Sequence, residues 1–358
     1  MTSLWSPVKV GKLNLKHRLA LAPMTRSRAN PDGTPGADAA EYYAQRASLG
    51  LLITEGTQPS EDGQGYMTTP GIFTDAHVKG WKRVTDAVHQ AGGHVFMQIM
   101  HAGRVAHPDN TPHHRTPVAP SAVTPKGEIF TPKGMQPYGT PRALMHHEVT
   151  QTVKDFAHAA KRAIEAGADG VEIHGANGYL VHQFLAPSTN HRHDEYGGSA
   201  ENRARFAIEV AKAMVAEIGA DKVGIRLSPV NGFSSVQETI EEVADTYKYL
   251  VRELNKLGLA YLHVLHTGQD ALIADLRKEW KQAFLVNRPG AQPENLEKDL
   301  LSGLADVVPV GQMGLANPDL VDRLRNAKPL NKADPSTYFT PGPKGYIDYP
   351  VATALAAE

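Results

Sequence analysis

Cysteine is absent from the 358 residues, which excludes disulfides, thiolate zinc sites, iron–sulfur clusters and a cysteine nucleophile. An excess of charge of either sign is missing too. Thirty-seven Lys and Arg stand against 38 Asp and Glu, a formal net charge of −1, without the basic excess or stripe of a phosphate-backbone binder. No apolar run approaches the ~20 residues that span a bilayer, and residues 1–16 lack the continuous apolar segment of an export signal. The expectation is a soluble, cytoplasmic chain that binds neither nucleic acid nor membrane. What is present agrees: 41% hydrophobic and 21% charged residues are the mix of a globular protein with a sizeable core. The length is large for one domain but suits a single α/β barrel.

Short apolar, β-prone runs alternate with amphipathic stretches eight times. The runs are 19–24, 51–57, 94–101, 170–175, 223–229, 259–266, 283–287 and 305–311. They are nearly continuous in apolar character, as parallel strands covered on both faces must be. Between them, apolar residues step at helical spacing. Val236, Ile240, Val243, Tyr247, Leu250, Leu254 and Leu257 form one such face, with Ser235 and Glu238 spaced as a capping box at its start. Val149, Val153, Phe156, Ala160 and Ala163 form another, and Gly167 stands where a left-handed C-terminal residue is wanted. Asn317-Pro318-Asp319 reads as a further helix start. Eight alternations predict a closed (β/α)8 TIM barrel, not a doubly wound sheet, whose first strand would lead into a glycine fingerprint. Here that strand ends in Ala22-Pro23-Met24-Thr25. Residues 102–144 break the rhythm: rich in Pro, Gly, Thr and His, they follow the third strand and predict a cap over the barrel mouth. The chain is expected to form one domain over 1–358, with 328–358 as a C-terminal tail.

Barrel chemistry sits at the C-terminal ends of the strands. The fourth strand ends in His174-Gly175-Ala176-Asn177-Gly178-Tyr179. A His and an Asn can give two hydrogen bonds to one carbonyl or nitro oxygen, an oxyanion-type site, and Tyr179 could hand over a proton. The bland alternative is that these groups satisfy one another beneath the cap. The third strand carries Gln98, whose amide suits the edge of a heterocycle, and runs on through His101-Ala102-Gly103-Arg104. Arg226 in the fifth strand is costly unless an anion or carboxylate meets it. The eighth strand ends in Gly311-Gln312, and the loops after strands seven and eight are this fold's customary phosphate-binding place.

Together these motifs resemble the Old Yellow Enzyme family of FMN-dependent ene-reductases, along nearly the whole chain from 4 to 350. Its most specific parts, seven in the family's order, begin with Ala22-Pro23-Met24-Thr25, Thr69-Pro70-Gly71, Gln98 with His101-x-Gly103-Arg104, and His174-x-x-Asn177-Gly178-Tyr179. Asp194-x-Tyr196-Gly197-Gly198-Ser199 with Glu201-Asn202-Arg203, Leu315-Ala316-Asn317-Pro318-Asp319-Leu320, and Gly345-Tyr346-x-Asp348-Tyr349-Pro350 complete the set. The resemblance implies one non-covalent FMN across the barrel mouth, reduced by NAD(P)H. It also implies hydride transfer to the β-carbon of an alkene activated by a carbonyl, imide or nitro group, with nitro compounds and nitrate esters as further substrates. Pro23, Met24 and Thr25 would line one flavin edge, and Gly56, Gln98 and Arg226 would hold the pyrimidine ring. His174 and Asn177 would bind the substrate oxygen, Tyr179 would protonate the α-carbon, and Met100, Tyr66 and Tyr346 would form pocket wall. A cation near flavin N1/O2 makes chemical sense by itself, because reduced flavin carries negative charge there. Thr25 stands where one branch of the family has Cys, so the chain resembles the classical branch.

Two departures stand out. Most members of the family carry Gly-Arg, with the Arg on the FMN phosphate, where this chain has Gly311-Gln312; Arg288, on the loop after strand seven, is the expected replacement. Met100 stands where many relatives have a bulky aromatic residue. The rival readings are a metal-dependent TIM-barrel hydrolase using His101, His107, His113, His114 and the His191/His193 pair, and a flavin-binding barrel without turnover. Metal hydrolases of this fold place such a pair at a strand end with a carboxylate from a later strand; the 191/193 pair lies well beyond the fourth strand, so no metal site is expected. The sequence does not choose between monomer and homodimer.

Overall fold

The computed structural model describes residues 3–352; residues 1–2, and 353–358 of the expected tail, lie outside the described residues. Eight parallel strands form the barrel: β1 (Leu19–Leu21), β2 (Leu51–Ile53), β3 (His94–Ile99), β4 (Gly170–Gly175), β5 (Val223–Leu227), β6 (Tyr261–Leu265), β7 (Ala283–Asn287) and β8 (Val308–Val310). Each pairs in parallel with the next, from β1 to β7, and β8 returns to β1. A parallel bridge between Leu285 and Val307 closes the ring. All eight predicted runs hold a strand. Most strands are shorter than the run, because the run's end peels into the loop that carries the chemistry.

Side-chain alternation sorts the strand residues into two cores. Leu21, Leu52, Val95, Val171, Ile225, Leu262 and Phe284 belong to the larger cluster, shared with the surrounding helices. Ala20, Leu51, Ile53, Phe96, Tyr261, Leu285 and Val307 form the smaller one, joined by Val10 and Leu15. Those last two come from an N-terminal hairpin, Val8–Val10 with Leu13–Leu15, which plugs the bottom of the barrel. Burial of each such aliphatic side chain contributes about 1.5–3 kcal/mol. Period two then has a functional consequence. Two residues beyond Phe96, Tyr261 and Leu285, on the same face, come Gln98, His263 and Asn287. The barrel's filling thus turns polar toward its C-terminal end.

The helices keep most of their expected faces, though Val236 precedes its helix and Ile240 is exposed, and two starts are corrected. Gly167 takes the predicted left-handed conformation, φ 88°, after the helix His146–Glu165. The helix over Ile240–Leu257 opens at Thr239, not Ser235: Thr239 Oγ1 accepts from Glu242 N, and the Glu242 carboxylate accepts from Thr239 N. The predicted pair is spent on tertiary contacts. Ser235 Oγ accepts from Lys126 N at 3.0 Å, and Glu238 accepts from Val230 N at 2.8 Å. The helix Leu320–Arg325 likewise starts at Asp319. The Asn317 side chain donates back to Met313 O and accepts from Asn331 N, tying down the segment around Leu330 instead of capping.

Residues 102–144 carry local structure that their composition hid. They contain an antiparallel hairpin, Glu128–Thr131 with Gly134–Pro137, and a strand pair between Val118–Ala119 and Arg142–Ala143. The Arg104 guanidinium donates to Val123 O and Ser234 O, both at 3.1 Å. The Asn110 amide donates to Gly65 O and Phe130 O. These bonds fasten the excursion to the loops that follow β2 and β5, across the C-terminal face.

Candidate active site

The turn after β4 is built under backbone strain. Asn177 sits at φ 57° and Gly178 at φ 81°, a left-handed pair that only Gly, or Asn at some cost, adopts readily. Asn177 N donates to Ser228 Oγ at 2.7 Å, and Ser234 Oγ donates to Asn177 O at 3.1 Å. Gly178 N donates to His182 Nδ1 at 2.9 Å, and His182 Nε2 donates to the buried Glu238 carboxylate at 3.2 Å. A Cβ at Gly178 would lie 2.6 Å from Ser234 Cβ. So the turn is held from three sides.

It presents His174, Asn177 and Tyr179 together. The His174 ring meets the Tyr179 ring edge-on at 4.8 Å. His174 Nδ1 and Asn177 Oδ1 are both sealed from solvent without a hydrogen-bond partner among the described residues. Buried polar atoms are normally paired, so the alternative in which they satisfy one another does not hold. Burial, reinforced by Arg226, pushes the His174 pKa well down, which keeps the imidazole neutral. The Tyr179 hydroxyl lies 2.9 Å from the Tyr66 hydroxyl. Burial raises the pKa of both phenols, that of Tyr66 strongly.

Beneath them lies a polar floor. Gln98 Nε2 donates to Glu172 Oε1 at 2.7 Å, and His263 Nδ1 donates to Glu172 Oε2 at 2.8 Å. A carboxylate only accepts, so it fixes the Gln98 amide with its oxygen turned away. Arg226 Nη2 donates to Asn287 Oδ1 at 3.1 Å, while Arg226 Nε is buried and unpartnered. Burial lowers the Arg226 pKa and the Glu172 carboxylate opposes that shift. Sequence reasoning missed Glu172, His263 and the role of Asn287. The signal was there in Glu172, an acid in an apolar strand two residues before His174 and so on the same face.

On the other side of the mouth, Pro23, Met24, Arg288, Gly311, Gln312 and Lys332 line one cavity of about 560 Å³. Arg288, the expected replacement, lines this cavity and is also paired within the protein. Its guanidinium makes two bonds to Asp299, at 2.6 and 2.9 Å, and a third to His266, so its charge is already matched. Gln312 brings none, and Lys332 has no ion pair among the described residues. Thr25 makes no side-chain hydrogen bond among the described residues. Its neighbour Arg26 donates its backbone N–H to Glu55 Oε2 at 3.0 Å, which ties the first loop to the second. A Cβ at Gly56 would fall 2.5 Å from Met100 Sδ, so Met100 fills the space behind that glycine. Tyr66 joins Tyr179, but Tyr346 does not. Its ring stacks on Tyr42 at 4.2 Å and borders a second cavity, with Arg28, Met67 and Phe130.

The cap histidines are spent locally. His101 Nδ1 accepts from Gly103 N and His107 Nδ1 from Asp109 N, each at 3.1 Å. Among the described residues no group of three or more His, Asp or Glu side chains could hold a metal, and no helix is long and apolar enough to cross a membrane.

Known proteins decide the family. The profile of the NADH:flavin oxidoreductase / NADH oxidase family matches residues 3–331. The chain is 44% identical to 12-oxophytodienoate reductase 1 of Oryza sativa subsp. japonica, over 99% of this chain and 94% of that protein. The chain belongs to the Old Yellow Enzyme family. A probable flavin mononucleotide-dependent alkene reductase of Leishmania infantum is 42% identical over 96% of each chain. The fold matches a structure of morphinone reductase in complex with tetrahydroNAD, at TM-score 0.94 and 41% identity over 98% of both chains. As an Old Yellow Enzyme the chain is an oxidoreductase whose cofactor is FMN, which removes the hydrolase and the passive-carrier readings. The floor suits that cofactor. Arg226 offers a cation with an unpartnered donor and Gln98 an acceptor oxygen.

Proposed function

We propose that this enzyme reduces alkenes activated by a carbonyl, imide or nitro group, with NAD(P)H as the electron source. The single observation that carries this reading is the sealed His174 Nδ1, without a hydrogen-bond partner among the described residues, beside the Tyr179–Tyr66 hydroxyl pair. The names of the relatives, oxophytodienoate, alkene and morphinone reductases, support the same substrate class.

FMN held here would supply the hydride chemistry between NAD(P)H and the alkene β-carbon. Negative charge then develops on the substrate oxygen, between the neutral His174 imidazole and the Asn177 amide. Donors fixed before the reaction do not have to reorganise, and losing one such donor typically costs ~2.7–4 kcal/mol. Tyr179, kept protonated by burial, gives its proton to the α-carbon. Tyr66, at 2.9 Å, can restore it. Gln98, Arg226, Thr25 and Gly56 would hold the flavin ring, with Pro23 and Met24 along its edge. Gly311 and Gln312 would border the phosphate, and Lys332, on the same cavity, would supply a cation beside Arg288, which is paired to Asp299. Met100 backs Gly56 from behind. Nitro compounds and nitrate esters belong to the same electron-accepting class, and a cytoplasmic location goes with the reading.

The test is direct. Purified protein should be yellow, bleach under NAD(P)H without oxygen, and recover its colour with 2-cyclohexenone or a nitroalkene. Bleaching without recovery on any such acceptor would refute the substrate class, while mass spectrometry of the released chromophore checks for FMN.

A further inference from the structure

Glu172 is a fully buried acid that the chemistry above does not use. Register places it on β4 beside Gln98 of β3 and Gly224 of β5. Because Gly224 has no side chain, the carboxylate reaches across β5 to His263 on β6. The gap is tight, since a Cβ at Gly224 would lie 2.4 Å from the Tyr261 ring. His263 presents Nδ1–H to the carboxylate and keeps a buried, unpartnered Nε2. With one ring nitrogen donating and the other unpartnered, His263 is read as the neutral imidazole; burial lowers its pKa, with the Glu172 carboxylate opposing. Gln98 carries no charge either. The charges of the floor are therefore Glu172 and Arg226 alone, of opposite sign.

A structural tie between strands needs no charge. Retaining an ionised carboxylate at this depth carries a desolvation cost, and an amide would join the same two partners. We infer that Glu172 is a positioning residue of the flavin site, which orients the Gln98 amide and offsets Arg226, and so sets how tightly reduced FMN is held relative to oxidised FMN. With FMN over this floor, as proposed above, the sign follows from Coulomb's law. Reduction adds negative charge near Arg226, and a carboxylate beneath the same ring opposes it. Glu172 thus holds the potential down and keeps the bound flavin a strong reductant.

Glu172→Gln tests the charge while keeping the contacts, because the new amide can accept from Gln98 and donate to the other His263 tautomer. Measured by dye equilibration on the FMN-loaded protein, its midpoint potential should rise. A tenfold gain in the ratio of reduced to oxidised affinity corresponds to about 30 mV for two electrons. Arg226→Met should move the potential the other way, and adding Glu172→Gln to it should bring the value back toward wild type. Should Glu172→Gln alone fail to fold, that doubly neutral variant against Arg226→Met still reads the charge. Glu172→Ala, which also frees Gln98, should in addition weaken oxidised FMN in apoprotein titrations. An unchanged or lower potential in Glu172→Gln, or a double variant that keeps the Arg226→Met value, would overturn the inference. Wild-type protein that binds no FMN would instead overturn the reading of the site.

Discussion

Tyr179→Phe removes one oxygen atom from the site and little else. The phenol is buried, its hydroxyl lies 2.9 Å from that of Tyr66, and its ring lies edge-on to His174. A phenylalanine ring keeps that contact. Losing one neutral hydrogen bond costs about 0.5–1.5 kcal/mol of stability, so the variant should fold. The kinetic effect should be far larger. Proton transfer by a positioned side chain contributes about 10²–10⁴-fold, all of it in the half-reaction that consumes the alkene. The Tyr66 hydroxyl remains nearby and could partly substitute, so the lower end of that range is expected, and Tyr66→Phe should cost less than Tyr179→Phe. Nitroalkenes, whose reduced anion can take a proton from water after release, should suffer least. Because burial raises the Tyr179 pKa, loss of its proton should not limit enone reduction until well into alkaline pH. Stopped-flow spectroscopy separates the steps: bleaching by NAD(P)H should run at the wild-type rate while recovery with 2-cyclohexenone slows. Equal slowing of both half-reactions would remove Tyr179 from the role of proton donor.

Combined His174→Ala and Asn177→Ala should weaken phenols, which mimic the enolate oxygen, by at least the ~2.7–4 kcal/mol of one lost donor; unchanged phenol affinity by absorbance titration would argue against the pair. Lys332→Met should weaken FMN about tenfold, as expected for one partly solvated charge-assisted contact, and leave riboflavin, which lacks the phosphate, untouched. Arg288→Ala should lower the melting temperature by stranding Asp299 while sparing the FMN-to-riboflavin preference. Burial pushes the Glu55 pKa from the ordinary 4.5 to about 7, against the opposing Arg26 N–H. An acid raised in the fold stabilises it fully below its unfolded pKa and loses that contribution as pH climbs through the folded one. Relative to Glu55→Gln, wild-type stability should therefore fall between about pH 4.5 and 7 by up to about 3 kcal/mol, and parallel denaturant curves across that window would refute the assignment.

Local chemistry was legible in the chain itself. Strand and helix periods are set by which residues can face a core, so the eight runs and their order determined the barrel. The barrel then determined that His174, Asn177, Gln98 and Arg226 would gather at one face, because strand ends converge there whatever their separation in sequence. The motif set carried the family, and with it FMN. Tertiary structure decided what each polar side chain was free to do. Ser235 and Glu238 have the spacing of a cap, but Lys126 and His182, distant in sequence, claim them first. Arg288 stands on the right loop for a phosphate, yet Asp299 holds its charge. Tyr346 is drawn onto Tyr42 and away from Tyr179. The pairing of Glu172 with His263 passes over a glycine two strands wide of any sequence signal. A hydrogen-bonding group goes to the best partner within about 3 Å, and which partners come that close is a property of the folded chain.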